Sequence, residues 1–442
     1  MDMPINPQIR IDPKEKGPIS LVKRALSAHA ALGLAIAAVL YIIVLSGTVS
    51  VFKEDIHLIE QRGEPFVTDL TPAAAQSAAI EAMQMEPDSA HLYIHMPTPE
   101  QPRAIAQTDN VETYINSKGQ MSDRIAHPWS IFLIDLHYYL HLPKSFGMII
   151  VAIFGVFLFA MSITGLLAHP NIFKEAFTFR RSKSEQLKQV DLHNRLSVWT
   201  APFHITNSLT GAMIGLAVLS AAAIAPLKYN GDTGAVFAPV FGAEPEVDMT
   251  KAPMANIEKA LDYMAANHPD RPPLYVILHD PNTKGQYLQI MAEHKDRLIY
   301  AEKYNFDGNG NFIDTVGSAD GTLGQQFADS VYRIHFGAFG GLPVKIAFGI
   351  FGLCLMFIIT AGLKIYFLKR IQKGRAAPRL QGAWQGLVWG APLLLGMTFL
   401  ASRFIPVTQS HLAALFWGGL VLFILAGAVK SALEMKDNPQ TP

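Results

Sequence analysis

Two histidines in this 442-residue chain open the same pattern. His29 is followed by Leu32 and, after twelve intervening residues, by Leu45-Ser46-Gly47. His193 is followed by Leu196 and, again after twelve intervening residues, by Leu209-Thr210-Gly211. A second pair matches as well. Asp135-Leu136-His137 leads to Gly155 and Thr164-Gly165, and Arg333-Ile334-His335 leads to Gly352 and Thr360-Ala361-Gly362. An imidazole in or beside a membrane span is costly without a partner. Two at matching positions of two repeats point to one shared partner. Neutral imidazoles are axial ligands of haem iron. The expectation is therefore that His29 pairs with His193 and His137 with His335. One haem would then lie near each face of a hydrocarbon core about 30 Å thick. The plainer alternative makes all four hydrogen-bonding interface residues.

Three further histidines are reserve ligands or partners of the ligands. His204 lies eleven residues after His193, on nearly the same helical face and roughly 16 Å deeper. His141 follows His137 by one helical turn, and His169 closes the apolar run after it. His57, His91, His95, His127, His268, His279 and His294 read as surface or strand residues, and His411 as interfacial.

Composition narrows the chemistry. The one cysteine, Cys354, excludes an internal disulfide, a CxxC redox pair and a four-cysteine iron–sulfur site. Lys plus Arg and Asp plus Glu balance at 36 each, so no nucleic-acid role is indicated. There is no Walker motif, GxGxxG or HExxH, and Asp307-Gly-Asn-Gly-Asn311 reads as a turn rather than a calcium loop. A chain that moves electrons without a flavin or nucleotide domain needs an external donor, a quinol or a cytoplasmic flavoprotein.

The elements that position these residues are mainly helical. Half of the chain is hydrophobic, and the apolar residues are clustered. After a tail at 1–24, six spans are expected at about 25–51, 145–168, 193–225, 343–367, 384–403 and 410–430. The first is too long for a cleaved signal peptide. Insertions at 54–125 and 228–330 each read as one helix (71–84, 255–267) followed by short strands, a small α+β module. Span, module, span occurs twice in parallel, with two spans appended. The tail, the loops at 169–192 and 368–382 and the C-terminus are rich in Lys and Arg. The positive-inside rule puts both ends in the cytoplasm and both insertions outside.

These residues resemble the PepSY-associated transmembrane helix family of bacterial inner membranes. The likeness rests on five ordered stretches: His29-x2-Leu-Gly33 with Leu45–Phe52, Leu136-His137-Tyr-Tyr-Leu-His141-Leu-Pro143, Gly165–Pro170 with Ile172–Arg180, Asp191-Leu-His193-Asn194 with Pro202-Phe-His204, and Ile334–Pro343. It spans about residues 20–370. Ser197 stands where the first copy has Gly33, and a Trp common after the first histidine is absent. The resemblance implies PepSY-like insertions and, as in family members that reduce ferric siderophores, two b-type haems. The expected activity is then a ferric-chelate reductase of the inner membrane that releases Fe²⁺ in the periplasm. A second expectation is an anchored binding or protease-inhibiting protein, and a third a proton-coupled transporter. The third is weakened by the lack of Asp or Glu deep in the spans.

Overall fold

The computed structural model describes residues 21–437 apart from 62, 65, 125–127, 169–171, 178–183 and 244–247. His169, His127 and the basic residues Arg180, Arg181 and Lys183 lie outside the described residues. The chain begins α1 (Leu21–Ser50), α2 (Lys53–Glu60), α3 (Pro72–Met85), β1 (His91–His95), β2 (Ala104–Gln107), β3 (Glu112–Ile115) and β4 (Met121–Arg124). It continues α4 (Pro128–Tyr139), α5 (Lys144–Ala168), α6 (Ile172–Ala176), α7 (Glu185–Trp199), α8 (Ala201–Lys228), α9 (Gly234–Phe241) and α10 (Ile257–Asn267). Then come β5 (Pro273–His279), β6 (Tyr287–Ala292), β7 (Glu302–Phe306), β8 (Phe312–Val316), α11 (Leu323–Phe336), α12 (Gly341–Gln372), α13 (Pro378–Phe404) and α14 (Gln409–Asp437).

Among the described residues six helices are long and apolar enough to cross a membrane: α1, α5, α8, α12, α13 and α14. The protein is a multi-pass membrane protein. Its helices bond their own backbones and turn side chains such as Val218, Phe357 and Leu422 outward, as hydrocarbon surroundings require. α1 packs on α5 and α12, α5 on α8, and α7 on α12. α13 and α14 form a hairpin whose closest approach is glycine on glycine. A methyl group on Gly382 would collide with the Gly427 backbone. The hairpin reaches the bundle through Tyr41, whose hydroxyl donates to the Val388 carbonyl at 3.1 Å. Trp129 Nε1 on α4 also donates to Thr398 Oγ1 at 3.0 Å.

The third expected span, 193–225, is divided. α7 ends at Trp199 and α8 starts at Ala201, with Thr200 at φ −105° and ψ 5° between them. Pro202 supplies the reason: it has no N–H to donate and sits in the first turn of α8, where none is needed. His193 thus stands on a polar helix of its own, ahead of the spanning α8, and not inside an apolar run.

The two insertions are also not two separate modules. Their strands form one antiparallel sheet in the order β4-β3-β2-β1-β5-β6-β7-β8. The joint is β1 against β5, with His91 opposite His279 and His95 opposite Tyr275. Pairing these strands covers two edges that separate sheets would leave open. α3 and α10 cover one face of the sheet and share a single core that includes Ala78, Leu92, Leu261 and Phe306. Thr71 and Asn256 cap these helices. Gln76 of α3 also accepts from Ile257 N at 2.6 Å, fastening one helix to the start of the other. Asp307–Asn311 is the tight turn between β7 and β8, its Asp307 carboxylate accepting from the Asn309 and Asn311 N–H groups.

Candidate functional site

Four histidines use one construction. His29 Nδ1 donates to the Met161 carbonyl at 3.1 Å, and Gly165 lies against the ring. His193 Nδ1 donates to Ile358 O at 2.9 Å, beside Gly362. His137 Nδ1 donates to Ile43 O at 3.0 Å, beside Gly47. His335 Nδ1 donates to Asn207 O at 3.1 Å, beside Gly211. Each glycine stands four residues after the accepting carbonyl. A helical carbonyl points toward residue i+4 and keeps a second lone pair. With no Cβ at that position the ring can lie flat on the helix and reach it. Real side chains there would intrude: a Cβ on Gly47 would come 2.5 Å from His137 Cε1, and one on Gly211 would come 2.7 Å from His335 Cε1.

The rings meet in two pairs. His29 and His193 have ring centres 6.2 Å apart with planes at 79°. His137 and His335 have centres 6.4 Å apart with planes at 17°. Because Nδ1 donates in all four, Nε2 is the nitrogen that carries the lone pair. A metal–imidazole bond of about 2 Å on each side, plus about 1.1 Å from each nitrogen to its ring centre, requires centres about 6.2 Å apart. Both pairs fit that demand. Carbonyl-bound Nδ1–H groups also fix ring orientation, as partners of metal-bound imidazoles do. For His137 and His335, burial pushes the pKa down to about 4, which keeps the rings neutral and in the ligating form. Among the described residues no three His, Cys, Asp or Glu side chains converge on a metal position. Each pair by itself brings two imidazoles within reach of one position between the rings.

Along α1, His29 and Gly47 are 18 residues apart, about 27 Å of helix. The pairs thus lie at opposite ends of the bundle, with His137 and His335 on the sheet side. That second pair borders a cavity of about 800 Å³ between bundle and sheet, which His95 and Tyr275 line from above.

The reserve histidines do other things. His141 has both nitrogens engaged: Nε2 donates to Phe132 O at 2.8 Å and Nδ1 accepts from Trp417 Nε1 at 3.0 Å. It adopts φ 57° at the α4–α5 turn and has no lone pair left for a metal. His204 is buried on α8 beside the cavity and bonds Thr200 at 2.5 Å. The glycines divide by role. Gly155 and Gly352 make room for neighbouring helices, whereas Gly165 and Gly362 make room for imidazoles. Spacing alone showed the repeat of these glycines but not that difference. The accepting carbonyls, and Asn207 above all, escaped sequence reading because a backbone acceptor has no residue signature.

A helical membrane bundle with imidazoles facing each other across its two halves, under a sheet built from both halves, defines the class of protein. The chain belongs to the PepSY-associated TM region family, which matches residues 26–370 and stops before α13. An uncharacterised protein of Pseudomonas aeruginosa is 26% identical over 318 residues, 67% of this chain and 77% of that protein.

Proposed function

We propose that the protein is a haem-dependent reductase of the bacterial inner membrane. It would pass electrons outward to a ferric siderophore or other ferric chelate and release Fe²⁺. The observation that carries this reading is the spacing of the two imidazole pairs, each with Nδ1 tied to a backbone carbonyl. Haem b held by His29 with His193, and by His137 with His335, would supply one-electron carriers at the two ends of the bundle. The chain's own part is to hold four neutral imidazoles in fixed tautomers and to keep water from them with apolar helix walls. The two halves are read as a parallel repeat, and the halves of the sheet as PepSY-like modules. Lys188, Lys369, Arg370, Lys373 and Arg375 favour a cytoplasmic position for the ends of α5, α7 and α12 away from the sheet. Both termini then lie in the cytoplasm and the sheet in the periplasm. There the cavity beside His137 and His335 gives a ferric chelate its approach. Gain of an electron turns Fe³⁺ into the softer, less charged Fe²⁺ and weakens the hold of hard oxygen donors, which frees the metal.

The test is a reduced-minus-oxidised spectrum of detergent-purified protein with haem counted per chain, followed by reoxidation with a ferric chelate and trapping of Fe²⁺. Two b-type haems and stoichiometric Fe²⁺ are expected. His29→Ala or His193→Ala should each lose one haem, and His137→Ala or His335→Ala the other. A chain without haem, expressed with ample haem supply, would leave the anchored binding protein as the reading.

A further inference from the structure

His137 belongs to a helix too short to span. α4 has 12 residues, so its place is set by what it packs against. One neighbour is the hairpin of α13 and α14, which lies beyond the region that the family covers. This hairpin meets α4 at both ends. At the start, Trp129 Nε1 donates to Thr398 Oγ1 on α13 at 3.0 Å, and Trp129 packs on Phe399 with ring centres 4.9 Å apart. The Glu60 carboxylate accepts from the Trp129 and Ser130 N–H groups, each at 3.1 Å. Arg403 of α13 donates to the Glu60 carbonyl at 3.1 Å. Further along, Phe132 packs on Phe416 of α14, both fully buried, and Gln409 donates to Asp135. At the far end, Trp417 Nε1 donates to His141 Nδ1 at 3.0 Å.

That last bond stands at a strained piece of backbone. Leu140 and His141 both have positive φ, 53° and 57°. A Cβ makes the left-handed region costly, and such residues persist where their surroundings hold them. His141 is held through both nitrogens. Nε2 donates to the Phe132 carbonyl at 2.8 Å, so Nδ1 must accept, and Trp417 meets it. The ring also lies on Phe132, with centres 4.8 Å apart. The turn four residues beyond His137 is thereby fastened to α14.

The facing histidine is held differently. His335 rides on α11, which Gly337 closes in the left-handed conformation and the Lys303–Asp329 pair ties to the sheet at 3.0 Å. Four residues beyond His335 stands Phe339, whose side chain offers no acceptor. The 6.4 Å between the His137 and His335 rings is therefore a distance between a part fixed to the hairpin and a part fixed to the sheet.

We propose that Trp417 and His141 are positioning residues for His137: their bond sets the end of α4, and with it the spacing of the sheet-side imidazole pair. What that spacing serves rests on the haem reading above; the positioning does not.

The experiment is site-resolved carbethoxylation of the purified full chain by diethyl pyrocarbonate, read by mass spectrometry, beside the haem content of the same samples. Trp417→Phe should raise the rate at His137 about threefold or more, as loss of a hydrogen bond predicts, and leave His29 and His193 unchanged. His141→Leu should do the same. His141→Asn puts an acceptor where Nδ1 stands and tolerates positive φ, so it should stay near wild type. Tyr41→Phe, which removes the hairpin's bond to α1, should leave the His137 rate alone. Equal His137 rates in Trp417→Phe, His141→Leu and wild type would overturn the proposal. So would His141→Asn as reactive as His141→Leu, or a rise at all four histidines or in Tyr41→Phe, the marks of general loosening. Should Trp417→Phe fail to fold, His141→Asn against His141→Leu decides. An effect confined to the His137 pair in a chain without haem keeps the positioning and sinks the haem reading. Two haems with no such effect does the reverse.

Discussion

An imidazole has two nitrogens, and in His29, His137, His193 and His335 the protein spends the same one on a backbone carbonyl. What the fold leaves for chemistry is thus decided by the glycine four residues beyond each acceptor. Substitution there is predicted to be graded by space. Gly47→Ala and Gly211→Ala, whose methyl groups would press on His137 and His335, should cost about 1–3 kcal/mol of stability and disturb the haem proposed for that pair. Gly165→Ala and Gly362→Ala, with 3.2 and 3.3 Å to the nearest ring atom, should be milder. Gly396→Ala, which meets open space, should be neutral. Thermal unfolding and haem spectra of the five variants give the order, and five indistinguishable variants would contradict it. The four histidines themselves were legible in the sequence because the repeat set them at matching positions. The tautomers were not, since they depend on carbonyls supplied by distant helices.

A second residue-level consequence is a sensitivity to acid. Burial pushes His95, on β1, down to about 4, against an ordinary value near 6.5. Between those values the unfolded chain takes a proton that the folded chain refuses. Stability should therefore fall as pH drops from about 6.5 toward about 4, by on the order of 3 kcal/mol from this group. His279, pushed to about 4 by the same cause, acts in the same direction. Denaturant melts across this range should show the slope, and His95→Gln should flatten it. A slope unchanged by that substitution would assign the effect elsewhere.

At the scale of elements, α11 ties the sheet to the bundle. Asp329 on α11 and Lys303 on β7 form an ion pair at 3.0 Å with 3% and 0% of their side chains exposed. Arg333, one turn further, donates to Ile299 O at 3.1 Å and bridges Glu293 at 3.3 Å. His335 follows on the same helix, capped by Gly337 in the left-handed conformation at φ 64°. Taking one member from a buried pair strands the other charge. Asp329→Asn is predicted to cost about 3–5 kcal/mol, whereas Lys303→Met with Asp329→Leu should cost far less. Chemical unfolding of the single and double variants separates the two, and equal losses would count against the pair as the cause. Nothing in the sequence links Lys303 to Asp329, which stands 26 residues further on. The break at Thr200 was not read from the sequence, where 193–225 is one span, and only the structure separates a polar α7 carrying His193 from the spanning α8.

On the scale of the whole molecule, the six spanning helices were legible because twenty apolar residues in a row have few other uses. The insertion helices were legible as the runs at 71–84 and 255–267, and the structure adds the Thr71 and Asn256 caps that start them. The continuous sheet was not legible. Its decisive pairing, β1 with β5, joins residues as far apart as His91 and His279, and alternation along a strand says which face is buried but not which neighbour it takes. That pairing also fixes the order in which the molecule can be made. β1 leaves the ribosome with one edge unmatched and stays so through the synthesis of α4, α5, α7 and α8, until β5 has reached the same side of the bilayer. The first insertion is thus a half-finished sheet for much of translation, open to pairing with another chain. Closure of the sheet then gathers the helices of both halves, and with them the two histidines of each pair. Assembly of the imidazole pairs becomes a late event, one that waits on the last strands to arrive.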